Sequence, residues 1–376
     1  MITIKATVAM GAIAGAAWSG VSFATNDNDH AAHAVFVMTN NADANQVVAF
    51  QRDPDGTLHN PQSYGTDGRG SGGTVDPLAS QGSLTLSKDG AWLFAVNAGS
   101  GSVSVFRVNG AKLELTDRVA TEGSEPNSVA QFGSLVYVLN TAASSGVVGF
   151  NFNNGKLVRI PDSLRFLSGN AVASGSVAFS PDGRLLIVTE KATNNLDVFK
   201  VQSDGSLSQP TITKSVGPGV FSAGFTRNDV AIVSETGAGG PNSSAISSYS
   251  VQSDGTLTPI SSSVPTLGSA NCWNVVTPDG RFVYVSNAGS GSVSGFAIGG
   301  NGTLTPLPGT VLAINPTGSS NIDLTVSLDG KFLYTLNAGT GTVGVFAIQP
   351  TNGTLTDLGA DGSLPAAAGL NGIAAN

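Results

Sequence analysis

The apolar residues of this chain fall in short alternating runs rather than in helical stripes. Leu84-Thr-Leu-Ser-Lys-Asp-Gly-Ala-Trp-Leu-Phe-Ala-Val-Asn-Ala-Gly-Ser-Gly-Ser-Val-Ser-Val-Phe106 shows the pattern in full: an apolar run, an Asp-Gly pair, a second run closed by Asn-Ala-Gly, and an alternating segment ending in Phe. Alternation with period two marks a strand with two unlike faces, and Asp-Gly and Asn-Gly tolerate the positive φ of a tight hairpin turn. The passage returns as Val283 to Asn287 with Val293 to Phe296, and as Leu333 to Asn337 with Val343 to Phe346. Weaker copies place Val35 to Asn40, Leu135 to Asn140, Leu185 to Glu190 and Val230 to Glu235 at the second-strand position.

The closing residues of these seven copies, Asn40, Asn97, Asn140, Glu190, Glu235, Asn287 and Asn337, are 43 to 57 positions apart. One unit reads as an inner strand (Val177 to Ser180), a turn at Asp182-Gly183, a second strand (Leu185 to Thr189), a third (Leu196 to Val201) and an outer strand after Asp204-Gly205. Four strands in each ~50-residue unit is the arithmetic of propeller blades. A β-sandwich or solenoid is the alternative, and four strands are too many for a solenoid rung. The pattern therefore predicts an all-β, seven-bladed β-propeller of four-stranded antiparallel blades over residues 34–376. The first copy opens on a second-type strand, Ala34 to Thr39, and lacks an inner one. Leu370 to Asn376 aligns with the inner strands Asn127 to Ala130 and Asn321 to Val326 and is expected to complete the first blade, hiding two strand edges.

Composition agrees, with 49 Gly and only 11% charged residues among 376. Residues 1–24 read as a secretory signal: Lys5, an apolar run from Ala6 to Val21, and Ser22-Phe23-Ala24 as the cleavage site. A membrane anchor is the competing reading, and Gly11, Gly15 and Gly20 interrupt its run. Residues 25–33 form a short extension, and the product is expected outside the cell, or in the periplasm of a Gram-negative host. The single cysteine, Cys272, allows no internal disulfide. A net charge of −8 with no basic run argues against a nucleic-acid or anionic-membrane partner. A monomer is expected.

Ser180-Pro-Asp-Gly-Arg-Leu-Leu-Ile-Val-Thr-Glu190, Tyr284-Val-Ser-Asn287 and Val103-Ser-Val-Phe106 together resemble the lactonase family of seven-bladed propellers, which includes 6-phosphogluconolactonase and carboxymuconate cyclase-like proteins. The resemblance implies hydrolytic opening or cycloisomerising closure of a lactone, with a His at the start of an inner strand and a Glu in a loop of the central face. Glu190 matches the family Glu. The position of the family His is Ser176, and the equivalent starts are Ser83, Ser128, Ser222, Trp273, Asp323 and Asn371. The three histidines, His30, His33 and His59, lie elsewhere, so any enzyme here works from a His-less site.

Inner-strand starts and the loops after second strands share one face around the channel mouth. That face collects Glu190, Glu235 and Asp323 as candidate catalytic carboxylates. If the two glutamates of adjacent blades converge, repulsion raises one pKa and makes an acid–base pair; the alternative is that each accepts hydrogen bonds within its own loop. Lys191, Asn127, Asn271, Trp273, Asn321 and, from the long 64–81 connection, Arg69 are candidate substrate contacts. No metal ligands are assigned, although carboxylates and amides on one face would suit Ca²⁺. The expected ligand is a small lactone or carboxylate; the alternative is a non-catalytic propeller that binds a carbohydrate, a cell-wall component or a protein.

Overall fold

The computed structural model describes residues 33–142 and 145–376. The expected signal segment and most of the 25–33 extension lie outside them.

The described residues form seven antiparallel sheets, one per repeat, each ordered inner, second, third, outer. In the fourth blade these are Ser174–Phe179, Leu185–Glu190, Asn195–Lys200 and Thr211–Lys214. The third blade carries an additional short strand, Arg165–Phe166, against its third strand. Neighbouring inner strands pack around a central channel. No helix among the described residues is long and apolar enough to cross a membrane.

The first blade is closed as the pattern predicts. Asn371–Ala375 is its inner strand, with Val35 opposite Ala375, Phe36 opposite Ala374 and Val37 opposite Ile373. Ala34 N donates to Asn376 Oδ1 at 2.6 Å, and Asn376 N returns a bond to Ala34 O at 3.1 Å. The adjoining strand begins at His33, which therefore belongs to the first blade.

Second strands such as Leu185–Glu190 and Phe282–Asn287 are buried along their whole length, because blades cover both their faces; this is why they read as near-continuous apolar runs. Serines stitch the inner strands together: Ser128 Oγ accepts from Val177 N at 3.1 Å, and Ser176 Oγ from Ala223 N at 3.0 Å. The hydroxyl at the expected histidine position is thus part of the ring's own hydrogen bonding. Phenols add a second seam, since Tyr284 donates to Gly353 O at 2.7 Å and Tyr334 to Gly56 O at 3.2 Å in the following blade.

Two features of the inner strands govern access to the channel. In blades three to seven each carries a register shift near its start, a bulge that re-aims the side chains at that mouth. Blades four, five and six also share one burial pattern, four buried residues followed by two half-buried ones. The channel is therefore sealed where inner strands begin and open where they end.

Candidate active site

The seal is the long connection after the first blade. Gly369 N donates to Thr74 O at 2.8 Å, and Ser80 Oγ to Asn127 O at 2.7 Å. Gln81 receives 2.6 Å from Ser128 Oγ at its carbonyl, donates 3.0 Å from its N–H to Gly175 O, and reaches Asn274 O with its side chain at 2.7 Å. The segment is thereby fastened to blades one, three, four and six. Trp273 is buried beneath it, donates Nε1–H to Ser80 O at 2.8 Å and leans on Phe221 with centroids 5.1 Å apart.

Four ionisable groups gather there. Lys191, just past the second strand of blade four, donates to Ala79 O and lies over the Phe221 ring, 4.9 Å from its centroid. Asp76 comes from the sealing segment and accepts from Asn371 Nδ2 at 3.1 Å. Cys272 and Asp323 occupy the bulged starts of inner strands six and seven. Burial pushes the Asp76 carboxyl up to about 7, against the pull of Asn371, the Lys191 ammonium and the N–H groups of Ala79 and Ser80. Burial lowers Lys191, partly offset by Asp76. Asp323 is held well above the carboxylate range by burial, although Leu324 N donates to it at 2.8 Å, and burial raises the Cys272 thiol too. Lys191, Asp323 and Trp273, each a candidate from the sequence, thus lie together, and Asp76 and Cys272, which were not candidates, lie with them.

Glu190 and Glu235 stand apart from this group. Both are fully buried. Glu190 accepts from Ser168 N at 2.7 Å, Ser168 Oγ at 2.5 Å, Thr193 Oγ1 at 2.5 Å and Asn195 Nδ2 at 3.0 Å. Burial pushes its carboxyl up, but these donors outweigh it and hold the pKa below the ordinary glutamate value. Glu235 accepts from Ser247 Oγ at 2.6 Å, Ser263 Oγ at 2.8 Å and Gly217 N at 3.1 Å. The two share no partner, so the convergent pair is not formed. Each instead does what asparagine does in other blades, where Asn97 binds Ser104 at 2.8 Å and Asn287 binds Ser294 at 2.9 Å. The closing side chain ties its blade to the connection before it, which in four blades carries Thr/Ser-x-Gly: Thr66 to Gly68, Thr121 to Gly123, Ser215 to Gly217 and Thr266 to Gly268. A Cβ on Gly68 would come within 2.3 Å of Asn97, and one on Gly217 within 2.0 Å of Glu235, so only glycine admits this approach. Glu190→Gln turns an amide NH₂ toward donors; it is expected to cost about 2 kcal/mol in urea unfolding while leaving turnover unchanged. A wild-type stability with lost turnover would restore the catalytic role.

The remaining candidates divide between seal and scaffold. Asn127 donates to Ser174 O at 2.9 Å, Asn271 to Ala245 O at 2.7 Å and Asn321 to Ser292 O at 3.0 Å, so each amide joins two blades. Arg69 is exposed, and its backbone is tied to the loop after the second strand of blade two through Ser100 Oγ at 3.0 Å. Among the described residues no three His, Cys, Asp or Glu side chains are placed as metal ligands would be.

Seven four-stranded sheets around an axial channel, closed by the C-terminal strand, with ionisable groups at the inner-strand starts, define a ring propeller with a central-mouth site. The chain belongs to the lactonase family of seven-bladed β-propellers, whose sequence pattern matches residues 30–174 and 228–323. No curated protein matches it. Among solved structures it resembles a proposed 6-phosphogluconolactonase from Bacteroides uniformis, with a TM-score of 0.69 and 19% identity over 92% of this chain and 100% of that one. It also resembles the periplasmic gluconolactonase of Pseudomonas aeruginosa, at 0.67 and 18% over 90% and 98%, and virginiamycin B lyase from Staphylococcus aureus, at 0.53 and 14% over 76% and 86%. At these identities the likeness is one of fold, and function rests on the site.

Proposed function

We propose that this propeller opens a small lactone at the covered mouth, with Asp76 as base and Lys191 as the stabilising cation. One observation carries the reading: a lysine and a carboxyl group from distant parts of the chain share a half-buried place at the inner-strand starts, Lys191 bonded to Ala79 O of the segment that carries Asp76, where burial pushes the Asp76 carboxyl up to about 7. A base works best with a pKa near the working pH, and a cation fixed beside the reacting carbonyl stabilises a forming oxyanion. In this reaction Asp76 takes a proton from water as the water oxygen bonds to the lactone carbonyl carbon. Charge collects on the carbonyl oxygen opposite Lys191. Collapse breaks the ring C–O bond, and Asp76 returns its proton to the departing alkoxide. Entry of a ring-sized substrate requires the 76–81 segment to lift.

The test is turnover of a panel of γ- and δ-lactones by the purified protein. Asp76→Asn and Lys191→Met are each expected to lower kcat/KM about 100-fold or more with the unfolding midpoint preserved. Turnover that survives both removes the reading. The seal itself favours a second one, non-catalytic binding of a carbohydrate or protein by this face, and a folded wild-type protein inert on the whole panel moves the assignment there.

A further inference from the structure

The opposite end of the channel is an open cavity of about 860 Å³. It is lined by Gln81 of the seal, by Asn274 of the sixth inner strand, and by the aromatic rings of Phe132, Phe179 and Phe225, all half-buried. The Phe132 and Phe179 ring centroids lie 5.9 Å apart, their planes tilted by 41°.

The charges at this mouth are unevenly committed. Each turn from inner to second strand in blades two, four, six and seven places an Asp there, and each is tied back. Asp89, Asp182, Asp279 and Asp329 accept from the Ser or Thr hydroxyl two residues earlier at 2.5, 2.7, 2.6 and 2.6 Å. They accept again from the N–H two residues later at 3.0, 3.0, 3.1 and 3.1 Å. Arg184, Arg281 and Lys331 pair with Asp182, Asp279 and Asp329, whereas Asp89, which lines the cavity, is held by its hydrogen bonds alone among the described residues. Lys88 and Arg227 also line the cavity, are exposed, and enter no ion pair among the described residues. Of the three charged side chains that line the cavity, Lys88 and Arg227 are cationic and free of ion pairs, and Asp89 is turned back onto Ser87 and Ala91, so in a chain of net charge −8 the balance at this cavity is cationic.

We propose that the open end binds a small aromatic anion, its rings among Phe132, Phe179 and Phe225 and its carboxylate or sulfonate toward Arg227 and Lys88. An apolar cavity with a few placed charges is the usual form of a small-molecule site, and offset aromatic packing with one charge contact orients such a ligand. This proposal is independent of lactone turnover, which uses the other mouth.

The probe is 8-anilinonaphthalene-1-sulfonate, titrated against the folded protein by fluorescence and calorimetry, with uncharged N-phenyl-1-naphthylamine beside it. One sulfonate bound per chain is expected. Lys88→Gln with Arg227→Gln should weaken it about tenfold and leave the uncharged probe unaffected, and Ala178→Phe should block both probes with the thermal midpoint unchanged. Non-saturable binding, several sites per chain, or indifference to either set of substitutions overturns the proposal. If Ala178→Phe fails to fold, the paired-probe comparison in the double glutamine variant decides alone.

Discussion

A chain ending at Gly369 is expected to lose cooperative folding and to aggregate. The lost segment supplies the entire inner strand of the first blade, and Leu370, Ile373, Ala374 and Ala375 are all buried. Removing the Leu and Ile alone forfeits about 1.5–3 kcal/mol each. The ladder along Val35, Phe36 and Val37 goes with them, so the sum reaches the few kcal/mol that separate a folded domain from an unfolded one. The damage does not stay local. The freed edge, His33–Met38, is apolar, and an open apolar edge recruits strands from other chains. Size-exclusion chromatography and thermal melting check this; a monomer melting within a few degrees of the full chain would mean that the ring does not depend on its closure.

Asp197→Asn is expected to stabilise the protein at pH 8 by on the order of 3 kcal/mol and to change little near pH 4. Asp197 is fully buried on the third strand of blade four, where Asn97 and Asn287 find serines in other blades, and both its oxygens lack a donor. Burial, and then the neighbouring Glu190 carboxylate, push its pKa up to about 8. Because the folded value is above the unfolded one, near 4, the folded state keeps a proton that the unfolded state has released. Stability is therefore complete below pH 4, falls as pH rises toward 8, and levels off beyond, once both states are ionised. An asparagine has nothing to ionise and can donate to Glu190. Urea unfolding of both proteins at pH 4, 6 and 8 measures the difference, and parallel curves would show that Asp197 is ionised without strain.

The blades were legible in the sequence because turn chemistry and strand alternation repeat; even the closure by residues 371–375 followed from the one copy lacking an inner strand. Glu190 and Glu235 were harder. They sit at the repeat position that is Asn in the other five blades, and that substitution pattern was the available sign that they accept hydrogen bonds inside a blade. The Thr/Ser-x-Gly connection was equally present but is short, and its meaning lies in a contact with a residue tens of positions away. Asp76 was invisible, since the 64–81 segment has no periodicity and only its fastening to four blades brings that carboxyl to Lys191. Arg69, the more conspicuous charge of the same segment, stays exposed at the rim.

The most direct measurement of the central claim is the pH dependence of kcat/KM for lactone opening, corrected for the uncatalysed rate, in the wild type and in Asp76→Asn. The account expects activity to rise with pH through about 7, the region where Asp76 gives up its proton, and then to level, with the rise absent from the variant's much lower rate. A rise retained in Asp76→Asn, or an activity that falls with pH across this range, would place the chemistry on other groups than those at the covered mouth.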